Sequence, residues 1–416
     1  MSLSTRTQFF NPRLMAALLL GFSAGLPLAL TASTLQAWFT SANVNLAVIG
    51  ALSLVGIPYT LKFLWSPFLD FYQLPRFGLR KGWIMLMQLG VAAALLVLAN
   101  MQPATQAMAM SLVALLAAFL AATQDVAIDA YRTDILTDHE RGLGAAYYVF
   151  TYRLAVVASG GLAMVFADYY GWKLTYELMA CLMILVMVIT LRAPTIRHEA
   201  ASERNVWQTM LVSLGDLLRR ENIVLLLLFV MFYKFGDALA LTLMTNFLLH
   251  GLGFSLTEVG LAYKIVSFAA TVLGAFVGGA ILTRKNIYFG LVTFGLAQAF
   301  SNLMFVVLAM AGKSFSLMAV AIFIENFCSG LSTAAFLAFL MSICNKKYTA
   351  SQYALLSAIA SLGRVFLGPV AAFMVLKLGW TQFFIWSFIL SFPGIFFLLL
   401  LKEKVMTYAH VAEHSS

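Results

Sequence analysis

Long apolar stretches alternate with short polar ones along almost the whole chain. A helix needs about 20 apolar residues to cross roughly 30 Å of hydrocarbon. Barrel strands are excluded because the runs are too long and too uniform for a two-residue alternation. The pattern predicts an all-α polytopic membrane protein with about twelve transmembrane helices. They cover residues 12–38, 46–69, 83–101, 106–131, 143–168, 172–191, 222–250, 256–282, 286–311, 314–344, 350–377 and 379–401.

One polar interruption, residues 192–221, is much longer than the others and lies near the middle of the chain. It predicts an N-terminal six-helix half over residues 1–191, a cytoplasmic central loop, and a C-terminal six-helix half over residues 222–416. Four apolar positions in the loop recur at helical spacing, which favours a surface-lying amphipathic helix over a regulatory domain. These positions are Trp207, Leu211, Leu214 and Leu218.

A weak repeat relates the two halves. Residues 36–50 align with residues 246–260 at a constant offset, and Arg153 and Arg364 are separated by nearly the same distance along the chain. Two six-helix repeats in parallel orientation are typical of the major facilitator fold. In that fold the substrate site lies near the middle of the membrane, between the halves.

Composition and charge agree with a membrane location. The chain is 62% hydrophobic and 10% charged, with a mean hydropathy of +0.91, whereas soluble domains have about 25% charged residues. The net charge of +9 could suggest nucleic acid, but the distribution of Lys and Arg excludes that partner. With alternate loops assigned to the cytoplasm, most of these residues lie in inner loops, and the outer loops hold only Lys173, Lys313 and Lys377. The positive-inside rule then predicts that both termini are cytoplasmic.

The reactive residues do not favour an enzyme, a metal site or a bound cofactor. The five histidines fall in loops or the tail without the spacing of a metalloprotease, and the sequence has no P-loop. The three cysteines lie in apolar segments without a CxxC motif. We therefore predict no cofactor and no metal, and any pumping should use an ion gradient.

Nine charged residues lie inside the apolar runs. An ionisable group in hydrocarbon is costly unless it is paired or hydrated, so such residues usually face a bundle interior or a water-filled path. They predict a transporter; the alternative is a non-transporting sensor or scaffold in which they only pair with one another. The nine are Lys62, Asp125, Asp129, Arg153, Lys234, Asp237, Lys264, Glu325 and Arg364.

Glu325 lies near the bilayer centre, at the level of several cations. A buried carboxylate can bind and release a proton, because burial and neighbouring charges act on it in opposite directions. Glu325 is therefore either a proton carrier or half of a permanent ion pair with Arg364. Lys234 and Asp237 are three residues apart on one helix and can neutralise each other. Alternatively, Lys234 faces the substrate and Asp237 assists it.

Asp125 and Asp129 are four residues apart and project from one face of the fourth helix, near its inner end. They form either a gate network or a proton or substrate site. Partners for a gate would be Arg132, Arg141 or Arg153. An acidic residue followed by basic residues in the loop between helices two and three adds to the gate candidates. The full set is Lys62, Asp70, Arg76, Arg80, Lys81, Arg132 and Arg141.

An ordered series of motifs spans nearly all of residues 14–401. It comprises Gly21-Phe-Ser-Ala-Gly-Leu-Pro-Leu-Ala-Leu-Thr31, Leu35-Gln-Ala-Trp38, Lys62-Phe-Leu-Trp-Ser-Pro67, Gln124-Asp125 with Asp129-Ala130, Arg153 with Ser159-Gly-Gly161, Tyr233-Lys-Phe-Gly-Asp-Ala238, Gly253-Phe254 with Glu258-Val-Gly260, Glu325-Asn326, Thr333-Ala-Ala-Phe336 and Gly363-Arg364 with Gly368-Pro369. These residues resemble the AmpG-type muropeptide permeases of bacterial inner membranes.

The resemblance implies proton-driven import of N-acetylglucosamine–anhydro-N-acetylmuramic acid, with or without peptide, for cell-wall recycling. The expected partners are the lipid bilayer, protons and this solute, and the expected state is a monomer. Short relatives suggest an alternative, a permease for an anionic siderophore or an acyl-coenzyme A-like solute. The substrate-binding candidates are Arg153, Lys234, Lys264, Arg364, Gln36, Gln124, Asn326, Tyr152, Tyr233 and Tyr263, and the proton-coupling candidates are Glu325, Asp125, Asp129 and Asp237.

Overall fold

The computed structural model describes residues 11–66, 69, 79–136, 141–194, 215–219, 221–282, 284–344 and 349–406. All regular structure in these ranges is helical. Helices long and apolar enough to cross a membrane are α1 (Pro12–Ser41), α2 (Leu46–Leu64), α3 (Arg80–Ala99), α4 (Pro103–Arg132), α5 (Tyr147–Tyr170), α6 (Trp172–Thr190), α7 (Ile223–Gly251), α8 (Leu256–Leu282), α9 (Ile287–Ala311), α10 (Phe315–Ser342) and a last stretch, Leu355–Leu400.

The last stretch is long enough for two membrane crossings. Its 46 residues would extend for about 70 Å as one helix, roughly twice the hydrocarbon thickness. The chain turns at Gly379, whose φ of 78° suits glycine because it has no Cβ. We therefore name residues 355–378 α11 and residues 380–400 α12. The predicted all-α polytopic fold is confirmed, with about twelve spans.

Polar side chains mark the ends of several spans. Asn11 accepts a hydrogen bond from the Leu14 amide at 2.9 Å at the start of α1, and Asn286 caps α9 through the Phe289 amide at 2.8 Å. Ser255 and Glu258 cap each other's backbone amides at the start of α8. Each cap satisfies an amide that has no partner within its own helix.

Helices α2, α7 and α8 are irregular where charged residues occur. α2 tightens into a 3₁₀ turn at Lys62–Leu64. α7 is interrupted at Lys234, between the helical segments Ile223–Phe232 and Phe235–Thr242. α8 begins with the α-helical turn Leu256–Glu258 and continues as a π-helical segment, Val259–Val266, which contains Tyr263. Wide helical turns of this kind are rare and occur frequently at functional sites.

The chain divides into two compact units. The first comprises Met1–Val44 and Val55–Arg204, and the second comprises Asn45–Leu54 and Asn205–Ser416. The division at Arg204 lies inside the predicted central loop. The three apolar positions Trp207, Leu211 and Leu214 lie outside the described residues, so the amphipathic helix remains a prediction.

In the first unit, α1 packs closely against α5 around Gly21. A Cβ at that position would collide with the carbonyl oxygen of Tyr148, so glycine is needed for this close approach. In the same unit, Leu14 of α1, Ile84 of α3 and Ile128 of α4 are fully buried in one apolar cluster. The cluster fixes α1, α3 and α4 around the charged residues of α4.

In the second unit, Phe229 of α7 is the centre of an aromatic core. Its ring packs edge-on against two rings of α10, Phe339 at a centroid distance of 5.2 Å and Phe336 at 6.3 Å. Phe294 of α9 and Leu398 of α12 complete the same cluster. The core fixes α7, α9 and α10 relative to one another, and these helices supply the acidic site of this unit.

Candidate proton and substrate sites

Three side chains from three helices of the second unit form a buried acidic site. The Gln298 side-chain nitrogen on α9 donates to Asp237 Oδ1 on α7 at 3.0 Å. The same nitrogen donates to Glu325 Oε1 on α10 at 3.3 Å. One amide therefore bridges two carboxyl groups that lie 88 positions apart in the sequence.

The acidic site is shielded from solvent. Glu325 is 0% exposed, Gln298 4% and Asp237 8%. Glu325 Oε2 and Gln298 Oε1 are buried without a hydrogen-bond partner. Two ionised carboxylates in such a place would repel each other strongly, and this favours one bound proton on the pair. The arrangement can therefore take up and release a proton.

Lys234 is the cation next to this pair. Its Nζ lies 3.9 Å from Asp237 Oδ2 and 3.4 Å from the Ser329 carbonyl oxygen. The charges acting on it also include Glu325 and Arg364. The sequence correctly placed Lys234 and Asp237 within reach of each other.

The alternative of a permanent ion pair between Glu325 and Arg364 is wrong for this structure. Arg364 is exposed, and it makes no ion pair with any other described residue. Glu325 instead lies with Gln298, Asp237 and Lys234. The reason is packing, because α7 provides Lys234 and α9 provides the Gln298 amide next to the Glu325 carboxyl group.

The other substrate candidates of the second unit differ in their surroundings. Tyr263, in the π-helical turn, lies in the electrostatic field of Glu325, Asp237 and Arg364. Tyr233 is instead part of the aromatic core, because it donates to the Leu291 carbonyl at 2.9 Å and stacks on Phe336.

Two further candidates were Asn326 and Lys264. The Asn326 side-chain oxygen accepts from the Thr271 hydroxyl at 3.3 Å, and its nitrogen donates to the Ile322 carbonyl at 2.9 Å. Asn326 therefore ties α10 to α8. The side chain of Lys264 lies outside what the structure describes, so its role remains a prediction.

The first unit contains a second charged network. Lys62 of α2 forms an ion pair with Asp125 of α4, and the Tyr148 hydroxyl donates to the other Asp125 oxygen at 3.0 Å. Asp129 pairs with Arg132 at 3.2 Å, and the Arg132 guanidinium lies 4.2 Å from the centre of the Tyr148 ring. The two aspartates thus take different partners and share Tyr148 as a neighbour.

Two further gate candidates tie helix ends together. Arg80 Nε lies 3.4 Å from Asp134 Oδ2. Lys81 donates to the carbonyl oxygens of Leu191 and Ala193 at 2.6 and 2.9 Å, which links α3 to the end of α6. Asp70, Arg76 and the side chain of Arg141 lie outside the described part of the chain.

Among the substrate candidates of the first unit, only Arg153 is exposed, and it makes no ion pair with another described residue. Tyr152 is half-buried and contacts Tyr148 at a ring distance of 6.0 Å. Gln36 is buried, and Gln124 is fully buried. Gln124 donates to the Ser23 hydroxyl and carbonyl at 2.9 and 3.0 Å, so its amide holds α4 to α1 and does not reach an accessible surface.

Sequence reasoning missed two residues of these sites, Gln298 and Tyr148. Neither is charged, and Gln298 lies in a helix that otherwise reads as a packing segment. A signal for Gln298 was present, because an amide in the apolar run of α9 must find a buried partner. Tyr148 gave no comparable signal, since tyrosine is common in such helices.

The fold defines a membrane transporter, not an enzyme. The sequence model of the Major Facilitator Superfamily matches residues 14–315 of this chain. The chain belongs to this superfamily and, within it, to the AmpG-type permeases. It is 42% identical to the anhydromuropeptide permease of Escherichia coli K12, over 98% of this chain and 83% of that protein.

Solved structures show the same fold at low identity. The nucleoside transporter NupG superposes with a TM-score of 0.74 and 15% identity, over 96% of this chain and 99% of that chain. The inward-open xylose transporter XylE from E. coli gives 0.66 and 12%, over 92% and 94%. These likenesses support the fold alone.

Proposed function

We propose that this protein imports anhydromuropeptides across the bacterial inner membrane together with protons, as a monomer with both termini in the cytoplasm. The substrate class rests on the 42% identity to the E. coli anhydromuropeptide permease over nearly the whole chain. The orientation rests on the excess of Lys and Arg in alternate loops.

Proton coupling rests on the acidic pair of Asp237 and Glu325. With one proton on the pair, the remaining negative charge is balanced by Lys234, 3.9 Å from Asp237. Loss of that proton leaves an extra buried negative charge, which is costly in a low-dielectric interior. Deprotonation therefore changes the stability of this packed arrangement. A transporter can use such a change in stability to favour one of its conformations over another.

The network of the first unit serves as a gate in this proposal. Lys62 and Asp125 join α2 to α4, whereas Asp129 and Arg132 lie on α4 itself. Opposite charges that connect two helices can hold a passage closed until the helices separate. Asp125 is also the rival proton carrier, because it is a carboxyl group within α4 that contacts Lys62 and Tyr148.

Exposed cations provide the attraction for substrate. A peptide-bearing muropeptide has several carboxylates, and Arg153 and Arg364 carry free guanidinium groups on α5 and α11 within the described residues. A guanidinium binds a carboxylate through two parallel hydrogen bonds. Lys264 on α8 extends this set of cations in the proposal, and Tyr263 beside it is a further candidate for substrate binding.

Reconstituted protein tests the proposed function directly. Proteoliposomes with an acidic outside and a neutral inside should accumulate labelled anhydromuropeptide. Accumulation should stop when a protonophore removes the pH gradient. Uptake that does not respond to the gradient would contradict proton coupling alone. Failure to transport muropeptides, with uptake of an anionic siderophore by the same vesicles, would contradict the substrate class.

A further inference from the structure

Gln298 places a neutral amide between the two acids, and proton binding by the acids alone does not explain why an amide is buried there. Its side chain is 4% exposed and comes from α9, whereas the two acids come from α7 and α10. Burial of an amide is costly unless its polar atoms are bonded. Here the nitrogen is bonded to both carboxyl groups, and the oxygen has no partner.

We infer that Gln298 is a positioning residue for proton binding, which holds Asp237 and Glu325 on one neutral donor and keeps their shared proton easy to release. This inference rests on the proposed function. A neutral amide has two N–H bonds and can donate to both carboxyl oxygens at once. Both bonds stabilise the deprotonated form, so they oppose the repulsion between the two acids.

An amide suits this task better than the other polar side chains. A lysine in its place would add a second cation beside Lys234 and keep both acids ionised, and a glutamate would add a third acid. Glutamine supplies donors without charge, so the pair still changes its total charge when a proton leaves.

Among the residues that the structure describes, the charged and titratable neighbours of Glu325 are Lys234 and Asp237 on α7, Tyr263 on α8, Cys328 on α10 and Arg364 on α11. The Gln298 amide donates to Glu325 Oε1 at 3.3 Å and carries no charge. Asp237 also accepts from the Gln298 amide, at 3.0 Å, whereas Lys234 Nζ lies 3.9 Å from the Asp237 carboxylate.

A substitution of matched shape separates positioning from packing. Gln298→Met keeps the length of the side chain and removes the amide. Asn302→Leu is the control, because Asn302 lies one turn further on α9, is fully buried, and donates to the Ser391 hydroxyl at 3.4 Å and to neither acid. Both variants remove one buried amide from the same helix.

Infrared difference spectra of the whole purified protein, recorded as the pH is changed, measure the carboxyl proton without any substrate. The band of the shared proton is assigned by its loss in Glu325→Gln. Loss of a hydrogen bond to a charged group should raise the titration midpoint of Gln298→Met by about one to two pH units. The midpoint of Asn302→Leu should equal that of the natural sequence. The pH dependence of muropeptide accumulation should move in the same direction as the midpoint.

The outcomes separate the two proposals. An unchanged midpoint in a folded Gln298→Met protein would overturn the positioning role and leave the acidic pair in place. Absence of a titrating band in the natural sequence would overturn both the pair and the positioning role. A normal band without muropeptide uptake would count against the substrate only. If Gln298→Met does not fold, Gln298→Glu keeps the size of the side chain, and its third acid should raise the midpoint further; an unchanged midpoint there would equally overturn the inference.

Discussion

Lys62 of α2 and Asp125 of α4 are ion-paired in the first unit, although each lies within an apolar helix. The Lys62 side chain keeps 31% of its surface exposed and the Asp125 side chain 16%. The ion pair is thus half-buried, and the second carboxylate oxygen of Asp125 accepts a hydrogen bond from the Tyr148 hydroxyl. Loss of either partner would leave the other charge with less compensation than it has now.

A double-mutant cycle should measure this coupling. Lys62→Met and Asp125→Asn should each lower the free energy of unfolding by roughly 1–3 kcal/mol, between the values for surface and fully buried pairs. The double variant should lose less than the sum of the two. Thermal unfolding in detergent provides the measurement. The more exposed pair Lys173 and Glu177, 3.9 Å apart on α6, serves as the control, and Lys173→Met should cost less than about 0.5 kcal/mol. Strict additivity at Lys62 and Asp125 would show that the pair is not coupled.

Glu325→Gln should abolish gradient-driven accumulation and preserve exchange of substrate across the membrane. The reason is that the neutral amide resembles the protonated acid and cannot release a proton. Counterflow and pH-driven uptake in the same proteoliposomes separate the two activities. Asp125→Asn is the comparison: if it alone uncouples uptake from the gradient, the proton carrier lies in the first unit. Loss of both activities together with poor expression of Glu325→Gln would indicate a structural role.

Close packing of α8 against α10 makes a prediction about stability. A Cβ at Gly274 would collide with the carbonyl oxygen of Phe327, whereas a Cβ at Gly279 would have no atom within 4 Å. Gly274→Ala should therefore destabilise the protein by about 1–3 kcal/mol. Gly279→Ala should be neutral or stabilise by up to about 1 kcal/mol, since alanine is the better helix former. Thermal unfolding of the two proteins checks this, and equal unfolding temperatures would disprove the tight contact.

The sequence was sufficient to predict the spans, because membrane thickness fixes the length of an apolar helix. It also placed Lys234 and Asp237 within reach of each other, which depends only on their spacing along α7, but left open whether Lys234 pairs with Asp237 or faces the substrate. It could not choose the partners of Glu325, since those depend on how α7, α9 and α10 pack around one another. The fully buried position of Gln124 was equally hidden, because a motif does not say whether its side chain faces a cavity or a neighbouring helix.

Topology can be tested with fusions that report the side of the membrane. A reporter active only outside the cytoplasm should be active after Ala42 or Gly253 and silent after Arg80 or Ala201. The expectation follows from the strong excess of Lys and Arg in the predicted inner loops. Activity after Ala201 would contradict a cytoplasmic central loop and with it the arrangement of two parallel halves.

The last prediction concerns recognition of substrate charge. Arg364 is exposed on α11 and makes no ion pair with another described residue, so it can bind a substrate carboxylate without first breaking a bond. Such a charge-assisted hydrogen bond is worth roughly 1.5–3 kcal/mol, and each 1.4 kcal/mol is about tenfold in affinity. Arg364→Gln should therefore weaken binding of a peptide-bearing muropeptide about ten- to a hundredfold, with less effect on the disaccharide that lacks the peptide. Calorimetry on purified protein can compare the two ligands. Lys377→Gln, which removes an exposed cation from the end of the same helix, should change neither affinity. An equal loss for both ligands would place Arg364 in the gate or the fold, because only a contact with the peptide carboxylates distinguishes them.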